Sequence, residues 1–269
     1  MEHGTCVGSK HSHMKISFII VNYKSEKLLS CCLAAIQQHA TSVEYETIVV
    51  NNDEVLLDSV SAHVPPKIIN NNENRGFAKA CNAGAAAAIG DILFFLNPDT
   101  KIATPNINEL IEKLIDPAVG IVAPRLVTSS GSVQPWSAGC ATGLWDTLWN
   151  NLGYAKSKKL WLQDVPGEVD WVSGAALVIP KRLFSECGGF DENFFMYFED
   201  ADLCKRIRLL GKKILLLPQV RVLHLSGQCQ SDRKTQKQHY YQSQDYYFRK
   251  HFGKVSAFFI KILRKICCF

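Results

Sequence analysis

The sequence predicts an α/β fold in which a mostly parallel central sheet is flanked by helices. Continuous apolar segments that end in polar residues alternate with segments of helical periodicity over residues 15–100. Neither GxGxxG nor GxxxxGK[ST], the common phosphate-binding loops, occurs in the chain. Strands that alternate with helices form βαβ units, and we therefore expect most of the sheet to be parallel.

Four strands and two helices are predicted in the first hundred residues. The strands are residues 15–22 (KISFIIVN), 47–50 (TIVV), 67–70 and 91–96 (DILFFL). Ser25 is the expected N-cap of the first helix, in which apolar residues recur at helical spacing as far as Ile36. The alanine-rich residues 76–89 form the second helix, which Gly76 opens.

The second half of the chain is less regular. Residues 106–124 add a helix and a strand, and regular structure resumes at residues 170–180 (DWVSGAALVIP). Between them, residues 128–167 are rich in Gly, Trp and Ser and have no clear period, which predicts a loop-rich region that receives an acceptor. The expected catalytic domain spans residues 15–227.

The N-terminus and the cysteines favour a cytoplasmic protein. Residues 1–14 are polar and lack the apolar segment of a signal peptide, so we expect a disordered leader or tag. The ten cysteines form no CxxC pair, and we interpret them as reduced, buried thiols. No run of eighteen apolar residues is present, so no membrane-spanning helix is expected.

The C-terminal residues 228–269 form a basic, partly amphipathic tail. They hold nine Lys/Arg against two Asp/Glu, whereas the rest of the chain holds 21 basic and 23 acidic residues. Residues 255–269 predict a helix that either contacts an anionic cytoplasmic membrane surface or docks on the domain. No nucleic-acid-binding motif accompanies the charge, so nucleic acid is not expected as a partner.

Polar residues follow three of the predicted strands, at residues 21–23 (VNY), 51–53 (NND) and 97–99 (NPD). Ligands of open parallel sheets gather at the carboxyl ends of the strands, so we expect a nucleotide there. Without a phosphate-binding loop, a diphosphate would be neutralised most simply by a divalent cation on carboxylates, for which Asp99 is the candidate. The alternative for Asp99 is an ordinary type I turn.

An acidic cluster and two basic side chains complete the candidate chemistry. Glu199, Asp200 and Asp202 follow a phenylalanine-rich segment interpreted as a strand, and their proximity should raise at least one pKa toward that of a general base. The alternative is the acidic first turn of a helix. His224 is either a metal ligand or structural, and Arg75 is either a phosphate neighbour or solvated.

Together, these segments resemble the GT-A glycosyltransferases of family 2, and within them the rhamnosyltransferase-like branch. The resemblance covers roughly residues 15–227. The matching stretches are residues 19–25 (IIVNYKS), 48–53 (IVVNND), 74–84 (NRGFAKACNAG), 95–100 (FLNPDT), 171–180 (WVSGAALVIP) and 188–203 (GGFDENFFMYFEDADL).

The resemblance implies a GT-A fold and an inverting transfer from a nucleotide diphosphate-sugar, with dTDP-rhamnose favoured, to a polysaccharide or lipid-linked glycan. Asp99 is implied as a ligand of Mg²⁺ or Mn²⁺, with Asn97 at the first position of the DxD-type motif and His224 as an additional ligand. Asp200 is implied as the catalytic base, with Glu199 beside it. A nucleotidyltransferase would instead need a glycine-rich loop after the first strand.

The resemblance also implies binding residues. Those for the nucleotide-sugar are Val21, Asn22, Tyr23, Asn51, Asp53, Arg75, Gly76, Asn82 and Asn97. Trp171, Ser173 and Gly174 are the acceptor candidates. Relatives carry aspartate where Asn51 stands, so either Asn51 replaces it as a hydrogen-bond partner or Asp53 shifts into the role. The alternative function is a catalytically inactive homologue that binds a glycan or a protein partner.

Overall fold

The computed structural model describes residues 14–140, 157–225 and 233–266. The strands of this part of the chain are β1 Ile16–Asn22, β2 Tyr45–Asn51, β3 Lys67–Asn70, β4 Ile92–Leu96, β5 Thr100–Ile102, β6 Val119–Val127, β7 Ala138–Gly139, β8 Gly167–Val169, β9 Trp171–Val172, β10 Ala176–Pro180 and β11 Lys213–His224. Its helices are α1 Glu26–His39, α2 Phe77–Ala87, α3 Asn108–Leu114, α4 Lys158–Leu162, α5 Lys181–Glu186, α6 Glu199–Leu209 and α7 Arg233–Ile266.

Within these residues, nine strands form one sheet in the order β3-β2-β1-β4-β10-β6-β11-β5, with β8 paired to β11. Six of them run in one direction, and β5, β8 and β10 run in the other. The predicted α/β class with a mostly parallel sheet is therefore confirmed. A separate ribbon pairs β7 with β9.

Two apolar cores cover the two faces of the sheet. One lies under α1 and α3, and the other lies under α2, α5 and α6. β1 and β4 are buried along their whole length, as their continuous apolar sequences predict. Close packing of α2 depends on Gly84, because a Cβ atom there would lie 2.5 Å from the Ile19 side chain.

Two local expectations were wrong. Ser25 stands at the N-cap position of α1, but its hydroxyl donates to Asn22 Oδ1 at 2.9 Å instead of capping the helix. The phenylalanine-rich segment before the acidic cluster is a series of turns and bends. Tyr197 and Phe198 both have left-handed backbones (φ 71° and 66°), which a strand does not accommodate. The acidic cluster is accordingly the first turn of α6.

The C-terminal helix α7 docks on the domain and breaks at Gly253, where φ is 85°. Tyr247, Phe248, Ala257 and Ile260 are buried with Phe194 in a third apolar cluster. One face of the helix is therefore packed on the domain, as the docking alternative predicts. None of the helices in the described ranges combines the length and apolar character that a membrane span requires.

Two further expectations concern the N-terminal leader and the burial of the cysteines. The expected leader lies outside the described residues except for Met14, which packs on the first core. Cys32, Cys81 and Cys204 are buried free thiols, but Cys31 is exposed, because it lies on the outer side of α1.

Candidate active site

Asp99 and His224 come together because of strand pairing. β4 ends at Leu96, and β5 begins directly after Asp99. β5 pairs antiparallel with the end of β11, which sets His224 opposite Thr100. His224 Nε2 consequently lies 3.3 Å from Asp99 Oδ1, although 125 positions separate the two residues in the sequence.

The Asp99–His224 pair has the features of an incomplete cation site. Asp99 is 4% exposed, and its Oδ1 atom has no hydrogen-bond partner among the described residues. His224 Nδ1 lies 3.0 Å from Gln134 Oε1, so a neutral imidazole that donates there leaves the Nε2 lone pair facing Asp99. A carboxylate oxygen and an imidazole nitrogen suit a divalent cation.

The described ranges contain no group of three or more His, Cys, Asp and Glu side chains that could hold a metal. A cation at Asp99 and His224 would therefore take its remaining ligands from a substrate or from water. This donor set fits a cation that is shared with phosphate oxygens.

Asp200 lies in the first turn of α6, with both carboxylate oxygens hydrogen-bonded to the backbone. Its Oδ2 atom accepts from the N–H of Gly174 at 2.9 Å, and Oδ1 accepts from the N–H of Ala201 at 2.7 Å. Burial raises the pKa of Asp200 above its ordinary value, although these two bonds favour the ionised form. A held carboxylate with a raised pKa suits a general base.

The other two carboxylates of the cluster behave in opposite ways. Burial, and then the charge of Asp200, raise the pKa of Glu199, whose Oε2 atom has no hydrogen-bond partner among the described residues. Burial also opposes ionisation of Asp202, but bonds from His251 (2.7 Å) and Lys250 (2.6 Å) outweigh it, and the pKa of Asp202 is lowered. Asp202 therefore anchors α7 on α6.

The ends of β1 and β2 are joined by asparagine side chains. Asn22 Nδ2 donates to Asn51 Oδ1 at 2.9 Å, and Asn51 Nδ2 donates at 2.8 Å to both Val55 O and Asn70 Oδ1. Asn22 and Asn51 are both buried. The donors and the acceptor of the Asn51 amide are thus already engaged within the protein.

The neighbouring candidates at this edge differ in accessibility. Val21 belongs to the second core, while Tyr23 is half-buried with the Lys24 ammonium 5.2 Å from its ring centroid. Asp53 is buried, and its Oδ1 atom accepts from the N–H of Glu54 at 2.7 Å.

The start of α2 supports the segment that leads to the acidic cluster. The N–H of Phe77 donates to Phe195 O at 2.7 Å, and a Cβ atom at Gly76 would lie 2.7 Å from the same oxygen. Gly76 also has φ 85°, so glycine is needed there for two reasons. Arg75 is exposed, with its Nε atom 3.7 Å from Glu73 Oε1.

Asn82 and Asn97 hold loops in place. The Asn82 amide accepts from the N–H of Phe190 at 3.0 Å and donates to its carbonyl at 2.9 Å, which gives Asn82 a structural role away from the strand ends. The Asn97 N–H donates to Ala175 O at 3.0 Å, which joins the turn after β4 to the segment that carries Gly174.

The three acceptor candidates occupy different positions. Ser173 and Gly174 lie beside Asp200, through the Gly174 bond already described. Trp171 in β9 packs on the second core and donates from Nε1 to Cys140 O at 3.0 Å. Sequence reasoning overlooked Gln134 and Trp136, because neither belongs to a periodic segment or to a motif.

Comparison with known proteins shows which family the chain belongs to. The family model described as "Glycosyl transferase family 2" matches residues 17–175, which is more than half of the chain. The chain belongs to glycosyl transferase family 2. The matched residues run from β1 to the loop before β10 and include Asp99 and Gly174, whereas Asp200 and His224 lie beyond the match.

Relatives of this family 2 chain act in glycan synthesis, according to their names. It is 26% identical over 226 residues to the rhamnosyltransferase WbbL of Escherichia coli K12, covering 78% of this chain and 83% of WbbL. It is 27% identical to the low-salt glycan biosynthesis hexosyltransferase Agl10 of Haloferax volcanii and 25% identical to the O-antigen biosynthesis protein RfbC of Myxococcus xanthus. These alignments cover 72% and 78% of this chain, but only 61% of Agl10 and 17% of RfbC.

Solved structures share the fold. The crystal structure of GalNAc-T7 with UDP, GalNAc and Mn²⁺ superposes with a TM-score of 0.61 at 16% sequence identity. The superposition covers 96% of this chain and 55% of the GalNAc-T7 chain. The mannosyltransferase PcManGT of Pyrobaculum calidifontis with GDP-Man and Mn²⁺ superposes with a TM-score of 0.60 at 19% sequence identity. The superposition covers 88% of this chain and 65% of the PcManGT chain. The predicted GT-A fold is thereby confirmed.

Proposed function

We propose that this family 2 protein transfers a sugar from a nucleotide diphosphate-sugar to a hydroxyl of a glycan or lipid-linked acceptor, with inversion at the anomeric carbon. The observation that carries the proposal is the hydrogen-bonded Asp200, whose carboxylate has a raised pKa. Asp200 bonds Gly174, and the next residue, Ala175, bonds Asn97 in the turn that leads to Asp99. A base and a diphosphate site at one sheet edge are what sugar transfer requires.

In the proposed reaction, Asp200 accepts the proton of the acceptor hydroxyl. The acceptor oxygen forms a bond to the anomeric carbon from one face while the bond to the diphosphate oxygen breaks on the other. The nucleoside diphosphate leaves with the electron pair, and the anomeric configuration inverts. Asp200 is a catalytic residue in this mechanism. Glu199 lies beside the base in the sequence, and burial, followed by the charge of Asp200, raises its pKa and so disfavours a second charge next to Asp200.

Asp99 and His224 are the residues that would hold Mg²⁺ or Mn²⁺, because their facing oxygen and nitrogen are the donors that the site offers. When bound, such a cation neutralises the charge that develops on the leaving diphosphate. GalNAc-T7 and PcManGT were both solved with Mn²⁺, which supports a divalent cation in the proposal.

Tyr23, Asp53, Arg75 and Gly76 are the proposed donor-binding residues at this sheet edge, together with Val21 through its backbone and Asn97 through its side chain. Arg75 is exposed near the N-terminus of α2, where an anionic phosphate is favoured. Asn22 and Asn51 keep the ends of β1 and β2 in place through bonds within the protein, and Asn82 holds the loop at Phe190.

For the sugar, we infer rhamnose from dTDP-rhamnose, since the relatives include the E. coli rhamnosyltransferase WbbL and an N-acetylglucosaminyl-diphospho-decaprenol L-rhamnosyltransferase of Mycobacterium tuberculosis. For the acceptor, the second name supports a lipid-linked glycan, and we propose a cytoplasmic site of action. Peripheral membrane contact through α7 fits such an acceptor. Val255, Phe258 and Phe259 are exposed there, close in sequence to Lys254 and Lys261.

A second candidate, an inactive homologue that binds a glycan or partner, rests on Asn51. One experiment distinguishes the active transferase from the inactive homologue. The purified chain is incubated with dTDP-rhamnose, UDP-glucose, UDP-galactofuranose or GDP-mannose, in Mn²⁺, Mg²⁺ or EDTA. Release of nucleoside diphosphate from one donor, lost in EDTA, is the expected result, and failure of every donor to bind or turn over would favour the inactive homologue.

A further inference from the structure

One short turn touches both halves of the proposed active site. In the turn of residues 134–137, the Ser137 hydroxyl donates to Gln134 O at 2.9 Å. At its first end, Gln134 Oε1 lies 3.0 Å from His224 Nδ1. At its other end, Ser137 O accepts from the N–H of Ser173 at 2.8 Å, next to Gly174, which holds Asp200. The turn therefore connects the cation side of the site to the base.

Trp136 lies inside this turn and is unusually exposed for its size. The residue is 48% exposed, and its backbone is left-handed, with φ 59°. A bulky residue in that conformation carries a backbone cost, which the surrounding structure must offset. Full burial does not offset it, because about half of the residue's surface remains exposed to solvent.

The Trp136 ring is supported from one side by a fixed neighbour. Its centroid lies 5.2 Å from that of Trp161, and the two rings meet edge to face at 67°. Trp161 is itself buried and donates from Nε1 to Ala138 O at 2.6 Å. The exposed indole is thus held on a rigid support, and a ligand that stacks on it would lose little side-chain freedom.

We propose that Trp136 is the platform on which a sugar ring of the acceptor stacks. The C–H groups of a pyranose face are apolar and carry slight positive charge, which complements the negative face of an indole. The acceptor is favoured over the donor because its hydroxyl must reach Asp200, and the Ser137 end of the turn lies beside the segment that holds Asp200. The inference rests on the proposed transferase function and adds a residue that sets acceptor affinity.

The test compares Trp136→Ala, Trp136→Phe and Ile89→Ala in the full chain. Ile89 is a matched control because it is a large exposed apolar residue that lies outside the proposed donor, acceptor and membrane contacts. Transfer is measured with p-nitrophenyl pyranosides as soluble acceptors, and binding of the same glycosides is followed by saturation-transfer NMR. Binding of dTDP with Mn²⁺, measured by calorimetry, reports the donor side.

Trp136→Ala should raise the KM for the glycoside about tenfold or more, with a smaller change in kcat, since one lost stacking contact is of that order. Trp136→Phe should recover part of the affinity, and Ile89→Ala should match the unsubstituted chain. A glycoside KM and NMR signal for Trp136→Ala within twofold of the unsubstituted chain would overturn the inference. If the unsubstituted chain binds glycosides but transfers no sugar, and Trp136→Ala abolishes that binding, the platform stands and the transferase proposal fails.

Discussion

The backbone N–H of Gly174 donates to Asp200 Oδ2 at 2.9 Å, and this bond joins two segments that lie 26 residues apart. A side chain at position 174 would also approach Asp200, since a Cβ atom there would lie 3.5 Å from Asp200 Cβ. The segment before β10 therefore sets both the orientation of the carboxylate and the space around it. In this arrangement Gly174 contacts the proposed base, and its contact with the acceptor, which the family resemblance implies, stays a prediction.

Replacing Asp200 with Asn should lower the transfer rate by about 10²–10⁴-fold, because the amide cannot accept the acceptor proton. Donor binding should persist, since the Asn carbonyl can still accept from Gly174. The measurements are initial rates of transfer and calorimetry with the nucleoside diphosphate. Asp58→Asn, at an exposed position, is the matched control. An unchanged rate for Asp200→Asn would remove Asp200 from the mechanism.

The pH profile of transfer checks the same assignment. Because burial raises the pKa of Asp200, the ionised base should be lost on acidification at a higher pH than for an ordinary aspartate, whose pKa is 3.8. The acid limb of kcat/KM should therefore lie above pH 3.8. Its apparent pKa belongs jointly to Asp200 and Glu199, since the two carboxyls interact. A profile that stays flat down to that pH would exclude a raised pKa.

Glu199→Gln should stabilise the fold near neutral pH. The folded state raises the pKa of Glu199, so between its unfolded pKa of 4.5 and the folded pKa the native protein binds more protons, and stability falls as pH rises. Gln does not ionise and so avoids this pH-dependent loss, in which each tenfold increase in proton affinity on folding corresponds to about 1.4 kcal/mol. Urea unfolding at pH 4 and pH 8 should show the gain at the higher pH.

Asp202→Asn provides the opposite case. The folded state lowers the pKa of Asp202 through His251 and Lys250, so its stabilising effect is present above the unfolded pKa of 3.8 and disappears as pH falls through the folded pKa. Asp202→Asn should thus destabilise the fold at pH 8. If Glu199→Gln, Asp202→Asn and the unsubstituted chain had the same unfolding free energy at pH 8, the opposite pKa shifts of Glu199 and Asp202 would be contradicted.

Asn51→Asp should not improve donor binding, although the family resemblance implies an aspartate at this position. The Asn51 amide donates to Val55 O and to Asn70 Oδ1, and a carboxylate would face two acceptors without a donor. We expect a loss of about 1–3 kcal/mol in unfolding free energy. Asp53→Asn, by contrast, should weaken nucleotide binding with little loss of stability. Tighter nucleotide binding by Asn51→Asp would show that Asn51 itself limits the site.

Asp99→Asn and His224→Ala should each abolish tight binding of Mn²⁺ in the presence of nucleoside diphosphate. Each removes one of the two protein donors, and the described residues hold no other cluster that could replace it. Electron paramagnetic resonance of free Mn²⁺ measures the loss directly, without turnover. Asp58→Asn again serves as the control. Retained Mn²⁺ affinity in both variants would place the cation elsewhere.

The sequence by itself determined the alternation of strands and helices, because two-sided burial and helical periodicity are local properties of a segment. β1, β4 and α2 lie within a few residues of their predicted positions for this reason. Asp99 and Asp200 were predicted as site residues from motifs of neighbouring residues, and their roles stay predictions. The left-handed backbones of Tyr197 and Phe198 were not predicted, since a run of apolar residues has the same appearance whether it forms a strand or a turn.

Only the tertiary structure decided which of these residues meet. The opposition of His224 and Thr100 follows from the register of β11 on β5, and the Gly174 bond follows from the packing of α6 beside β9. The engagement of Asn51 within the protein and the exposure of Trp136 are likewise results of contacts between distant segments. Side-chain partners across a sheet edge depend on strand register and chain crossings, and neither quantity is encoded in the spacing of residues along one segment.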